Sequence, residues 1–254
     1  MRLKSYSSAV VLGFPIPETS NPFIAIPTKE LIFNINVEKC SNSDVIFNNF
    51  PNEVKSYILN YWKKLNEGLN ENLCAKINLE SNLEGFTYSG LYAVTTSLLL
   101  YSLGKYNNEV LNEDEITELS RITDNVKDPS WSSVLDSLRY SSLTGKAVVY
   151  RNDEENSVLN KTTLPIEFKN MITLRQKLTR DLLGNDVYGS LTHLMGISVL
   201  EASIRLRESN NFKDIFNIFR PITDAISQII WDLRVDDNCF YVPGLPNTAE
   251  KICI

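Results

Sequence analysis

Residues Ile77 to Tyr106 read INLESNLEGFTYSGLYAVTTSLLLYSLGKY. An apolar, strand-like run breaks at Glu84-Gly85. Beyond Ser89-Gly90, the apolar positions Tyr92/Ala93, Thr96, Leu99/Leu100 and Leu103 recur at helical spacing. The stretch predicts a strand over 77–81, a connection holding Gly85, and a helix over 89–104 with Ser89 as its N-cap. A strand, a glycine-bearing loop and a helix entered through serine is local architecture that receives phosphate. The free N–H groups of the first helical turn and the positive end of the helix dipole converge on one spot. The same pattern also serves as a plain strand–turn–helix, so the surrounding segments have to decide.

Before this stretch, residues 2–12 and 31–38 are β-rich, and Leu31 to Val37 alternates at period two. Pro15, Pro17, Pro22 and Pro27 exclude a helix between them and predict a crossing loop. Val45-Ile-Phe47 adds a short strand. Val54, Tyr57/Ile58, Tyr61/Trp62 and Leu65 mark a helix that starts at Pro51 and stops at Gly68. After it, Cys74–Glu80 reads as a strand, and Gly104 ends the 89–104 helix. Asn112 to Asp124 is a further helix with an acidic first turn. Asp128 to Arg151 mixes a turn, a short helix and the strand Ala147-Val-Val-Tyr150. A charged loop at 152–156 then precedes three amphipathic helices between Phe168 and Leu233, bounded by Gly184, Gly189 and Pro221, and the chain closes in strands. The expected class is α+β in two lobes: 1–152 mixed, 153–254 mostly helical with terminal strands.

Bulk properties exclude several functions. The 254 residues are 43% hydrophobic and 22% charged, as in an ordinary globular chain. A net charge of −6 leaves no basic stripe for nucleic acid, and Arg175-Gln-Lys177 and Arg205-Leu-Arg207 read as solvated helix faces. Cys40, Cys74, Cys239 and Cys253 show no C-x-x-C spacing, which predicts neither a sulfur-bound metal nor a disulfide framework. The only histidine, His193, lies in an apolar helical run and reads as packed rather than as a hydrolase base. No signal segment is visible, and no apolar run reaches the roughly 18–20 residues that span a bilayer, so the reading is cytoplasmic with no membrane partner.

Three loops in order resemble the small-molecule kinases of the GHMP superfamily: Ser8-Ala-Val-Val-Leu-Gly13, Ser81-Asn-Leu-Glu-Gly-Phe-Thr-Tyr-Ser-Gly90 and Tyr241-Val-Pro-Gly-Leu-Pro-Asn-Thr248. Gly85-Phe86 followed by Ser89-Gly90, with Leu12-Gly-Phe-Pro15 and Ser20-Asn-Pro22, looks most like archaeal pantoate kinase. The resemblance implies a GHMP-kinase-like fold and transfer of a phosphoryl group from ATP, with Mg²⁺, to a hydroxyl of a small organic acid. Pantoate, and hence coenzyme A biosynthesis, is the favoured assignment. It further implies that Gly85, Phe86, Thr87, Tyr88, Ser89, Gly90 and Gly244 surround the nucleotide and that Ser89 faces the metal. By the same resemblance Asp136 holds the metal or aligns the acceptor hydroxyl, and Lys146 and Arg151 contact an acidic substrate. The implied partners are that small molecule and, at most, a second copy of the chain.

Departures from the family pattern define the alternatives. Thr87 and Tyr88 stand where the family has small residues, and Ser8 stands where some members use lysine. Pro243 and Pro246 stiffen the last loop, and Glu84 places a like charge beside the phosphate position. At 4–6 Å in an aqueous cleft that charge opposes phosphate by about 1 kcal/mol. One alternative is a catalytically silent relative serving as a binding or regulatory subunit. Another, drawn from Ser81-Asn82, is a mevalonate-pathway kinase or the related decarboxylase.

Overall fold

The computed structural model describes all residues except 18, 20, 83, 152–156, 160–163, 165, 175–183, 209–210 and 235–238. The charged loop expected at 152–156 and the basic cluster 175–177 lie outside the described residues, as does Ser20.

A long strand organises the N-terminal part. One edge of β2 (Phe23–Lys39) carries β1 (Arg2–Leu12) along its length, and the other carries β5 (Val148–Tyr150) at residues 23–25 and β4 (Leu73–Leu79) at residues 33–39. Outside β4 runs the parallel β3 (Val45–Asn48), and β6 (Ser157–Val158) pairs with β5. Pro27, expected in a loop, lies inside β2. The β1–β2 register shifts there, pairing Ser7 with Lys29 but Ser8 with Pro27, and such a bulge accommodates a residue with no N–H.

Helix α1 (Asn52–Leu69) follows Pro51 and ends at the left-handed Asn70, so Gly68 is within it. Helix α2 (Tyr88–Tyr106) is buried on nearly every face, which its apolar sequence requires, and it includes Gly104. Asn112 and Glu115 form a reciprocal capping box at the start of α3 (Glu113–Asp124). Helix α4 (Pro129–Thr144) is capped by Asp128 and stops at the left-handed Gly145. Against the sheet, α1 and α2 bury Trp62, Leu99 and Leu91 on Phe33 and Ile77.

The later part holds β7 (Glu167–Thr173), α5 (Asn185–Glu208), α6 (Phe212–Trp231), β8 (Cys239–Pro243) and β9 (Thr248–Cys253), with a sheet ordered β7-β9-β8. Residues from Phe168 onward were expected to be helical. Pairing of β7 with β9 from Glu167↔Cys253 to Thr173↔Thr248 overrides local propensity. Gly189 and Pro221 fall inside α5 and α6 rather than between helices. Packing of Phe216, Phe219 and Ile226 outweighs the one backbone hydrogen bond that a proline removes. Met195, Val199, Phe216 and Phe240 share one core with Val11 and Ile24 of the first sheet.

All four cysteines are paired, Cys40 with Cys74 and Cys239 with Cys253, correcting the expectation of no disulfides. Strand register makes both pairs. Cys40 donates its N–H to Asn72 O beside the β2–β4 ladder, and Cys239 lies directly opposite Cys253 on β8 and β9. Separations of 34 and 14 residues carry no such information until the strands are paired.

Candidate functional site

The strand–loop–helix of residues 77–106 forms as its sequence dictates, but Thr87 rather than Ser89 is the N-cap. The Thr87 hydroxyl accepts the Gly90 N–H at 3.0 Å and donates to Ser8 O at 2.8 Å, fastening the start of α2 to β1. Gly90 has a packing reason as well. A Cβ there would sit 2.0 Å from Ser8 O, so α2 rests directly on β1 only through glycine.

The donors of the first turn of α2, where the sequence pattern predicts a phosphate, are taken by the protein itself. Glu250, fully buried on β9, accepts the Tyr88 N–H at 2.6 Å and the Ser89 N–H at 3.2 Å through Oε1, and the Ser89 hydroxyl at 2.5 Å through Oε2. Burial pushes its carboxyl up to about 7, although the hydroxyl and N–H of Ser89 and the N–H of Tyr88 pull the other way. A carboxylate at a helix N-terminus meets the same donors and dipole that a phosphate would. Glu250 was missed in the sequence. Its signal is parity: Glu250 shares the inward face of β9 with Thr248 and Ile252.

The C-terminal loop lies against this site. A Cβ on Gly244 would fall 2.9 Å from Glu250 Cγ and 2.5 Å from Thr248 Oγ1, so glycine is needed for the hairpin to close over the glutamate. Leu245 is buried in the same core as Phe86 and Leu91.

Beside the connection opens a cleft of about 670 Å³, lined by Thr28, Lys29, Glu84, Gly85, Phe86 and Tyr88 and by Ile166 to Phe168. Gly85 turns the chain there at φ 71°. The Tyr88 and Phe168 rings meet at 4.5 Å between centroids. Lys29, a second residue that the sequence reading missed, donates to Glu84 O at 2.8 Å and to Asn82 Oδ1, so its ammonium holds the loop in shape.

Asp136 sits elsewhere in the hydrogen-bond network. It is buried on α4, accepts Arg121 Nε at 2.8 Å and the Tyr150 hydroxyl at 3.0 Å, and lies 3.7 Å from Arg139 Nη1. Arg139, fully buried, makes a 2.7 Å ion pair with Asp124, which also accepts the Tyr92 hydroxyl at 2.6 Å. Burial raises the Asp136 carboxyl above its ordinary range against the pull of Arg139 and Arg121. None of these partners belongs to the 84–90 segment. Lys146 is exposed in the α4–β5 turn and Arg151 follows β5; neither lines the cleft.

These positions bear on nucleotide and Mg²⁺. Ser89 Oγ and two N–H groups of the first turn of α2 are already bonded to Glu250, and Asp136 is already neutralised by arginine. As the side chains stand, the set does not fit a metal-bound triphosphate. Among the described residues no group of three acidic, histidine or cysteine side chains is placed to hold a metal.

No family model and no curated protein matches the sequence. Solved structures do match the fold. Mevalonate kinase from methicillin-resistant Staphylococcus aureus is 14% identical, with 99% of this chain and 89% of that one covered at a TM-score of 0.57. Streptococcus pneumoniae phosphomevalonate kinase is 10% identical, with 100% and 91% covered at 0.56, and it has also been solved with phosphomevalonate and AMPPNP. A D-glycero-D-manno-heptose 1-phosphate kinase from Bacteriodes thetaiotaomicron is 8% identical, with 100% and 87% covered at 0.56. The chain therefore has the α+β, GHMP-kinase-like fold that these proteins share, with Glu250 on the first turn of its α2 helix.

Proposed function

We propose that the chain is a catalytically silent GHMP-fold protein, a binding or regulatory subunit that takes a small molecule in the cleft beside residues 84–88. The observation that carries this reading is the Glu250 carboxyl on Tyr88 N, Ser89 N and Ser89 Oγ. Whether ionised or neutral, it fills the space and uses the donors that a phosphate needs. In its ionised form it opposes a phosphate charge 4 Å away by about 4 kcal/mol at the effective dielectric of a protein surface. That corresponds to roughly 1,000-fold in affinity.

The second reading is an ATP- and Mg²⁺-dependent kinase acting on a small organic acid, pantoate first. The fold neighbours favour it, one of them solved with AMPPNP, and so does the position of the cleft against Gly85, Phe86 and Tyr88. It needs Glu250 to swing off Ser89 and Asp136 to exchange Arg121 for metal, with Lys146 and Arg151 brought to the substrate acid. A cytoplasmic setting belongs to this reading. Disulfides persist mainly in oxidising compartments or in hyperthermophile cells. Among the described residues no helix is long and apolar enough to cross a membrane.

Titration calorimetry with Mg·ATP, with and without pantoate, separates the two. The wild type is expected to give no heat of binding up to about 1 mM nucleotide, and Glu250→Ala is expected to gain binding. Saturable wild-type binding with phosphorylation of an added acid would replace the first reading by the second.

A further inference from the structure

The walls of the cleft beside residues 84–88 differ in what they can still bond. Its volume of about 670 Å³ suits one small organic molecule. Lys29, the ammonium in its lining, is taken up by the loop. An ammonium has three N–H donors, and those of Lys29 have three acceptors: Asn82 O at 3.3 Å, Asn82 Oδ1 and Glu84 O at 2.8 Å. None is left for an incoming anion. The acids are less engaged. The exposed Glu84 carboxylate meets a neutral donor, Asn82 Nδ2, at 3.3 Å. Glu167 is ion-paired with Lys169 on the surface, so the two together add no net charge to the cleft. Glu53 faces the Tyr88 hydroxyl, and Glu250 lies behind the Tyr88 N–H, so further acids back the same wall. The rest of the lining is aromatic. The Tyr88 ring stands 4.5 Å from that of Phe168 and 6.3 Å from that of Phe86, between centroids. Ring faces carry the negative part of the quadrupole and attract cations.

We propose that the small molecule taken by this cleft is an organic ammonium with an apolar body, a class that rests on the reading of the chain as a silent small-molecule binder. Its nitrogen pairs with the Glu84 carboxylate, and its body lies against the Phe86, Tyr88 and Phe168 rings. The three possible head-group charges fare differently here. A neutral ligand uses the rings and leaves Glu84 to water. A carboxylate or phosphate meets Glu84 as a like charge, with the Lys29 donors already bonded to the loop. A cation gains from the carboxylate and from the ring faces together.

Titration calorimetry of the full chain with three matched probes tests this. 2-Phenylethylammonium, 2-phenylethanol and phenylacetate share a ring and a short chain and differ in head-group charge. At low salt the ammonium is expected to bind about 10-fold more tightly than the alcohol, and phenylacetate about 10-fold more weakly than the alcohol. Glu84→Gln should abolish the advantage of the ammonium and leave the affinity for the alcohol unchanged, whereas a collapsed loop would weaken both. The proposal is overturned by equal affinity for ammonium and alcohol, or by phenylacetate binding most tightly. It is also overturned by no ammonium binding up to about 10 mM, or by a Glu84→Gln variant that weakens both probes alike. Mg·ATP titration of the same wild type reports on the silent reading separately. Nucleotide binding with phosphoryl transfer overturns that reading whatever the ammonium does, while a chain that binds neither nucleotide nor ammonium overturns only the ligand class.

Discussion

Glu250 and Ser89 are 161 residues apart in sequence and 2.5 Å apart in space, joined by a hydrogen bond from the serine hydroxyl to the glutamate carboxyl. The bond closes the last hairpin onto the first turn of the central helix. It turns the helix's first-turn donors into an internal contact. A buried acid of this kind titrates near neutrality, and that has consequences for stability.

Burial pushes the Glu250 carboxyl in the folded state up to about 7, well above the ordinary glutamate range. The folded state then holds the proton more tightly than the unfolded chain, so stability is greatest below the unfolded value and falls as pH rises from there towards 7. The raised carboxyls of Asp136 and Asp224 act in the same direction. A shift of this size corresponds to about 3 kcal/mol. Denaturant melts at pH 5 and pH 7.5 should show the wild type more stable at pH 5, and Glu250→Gln should remove most of that difference. An unchanged difference in the variant would place the titrating group elsewhere.

Arg139→Leu should be among the most destabilising single changes, costing about 3–5 kcal/mol, because it leaves the Asp124 carboxylate buried with no cation. Asp136→Asn should cost less, since Arg121 is 40% exposed and water can solvate it. Urea midpoints of the two variants check the ranking. Under the silent reading neither change alters the response to nucleotide.

Gly90→Ala separates a packing glycine from a nucleotide-binding one. With Ser8 O 2.0 Å from the new Cβ, α2 must lift off β1, and a loss of about 2–3 kcal/mol is expected. Gly189→Ala, in open space on α5, should be neutral or stabilising. Thermal melts of both variants test the contrast.

Removing either disulfide should cost about 2–4 kcal/mol. The larger loss is expected for Cys40→Ser, which opens a loop of 34 residues, against 14 for Cys239→Ser. Reduction with dithiothreitol followed by a melt should reproduce the double variant.

Local chemistry determined much of this molecule by itself. The period-two run at Leu31–Val37, the helical spacing after Ser89 and the acidic start before Ile116 each act within a few residues, and the element expected from each is present. The ordered loops also carried the fold type. Other features depend on which strands become neighbours. Phe168–Thr173 is a strand because β9 lies beside it, the cysteines pair because β2 meets β4 and β8 meets β9, and Pro27 is tolerated because β1 bulges opposite it. The candidate site divides along the same line. Residues 85–90 form a helix N-terminus from sequence alone, since caps and turns are local. What fills that N-terminus came from β9, and the partners of Asp136 came from α3, β5 and the next turn of α4. A carboxylate's role is set by the donors around it, and only tertiary packing brings those donors together.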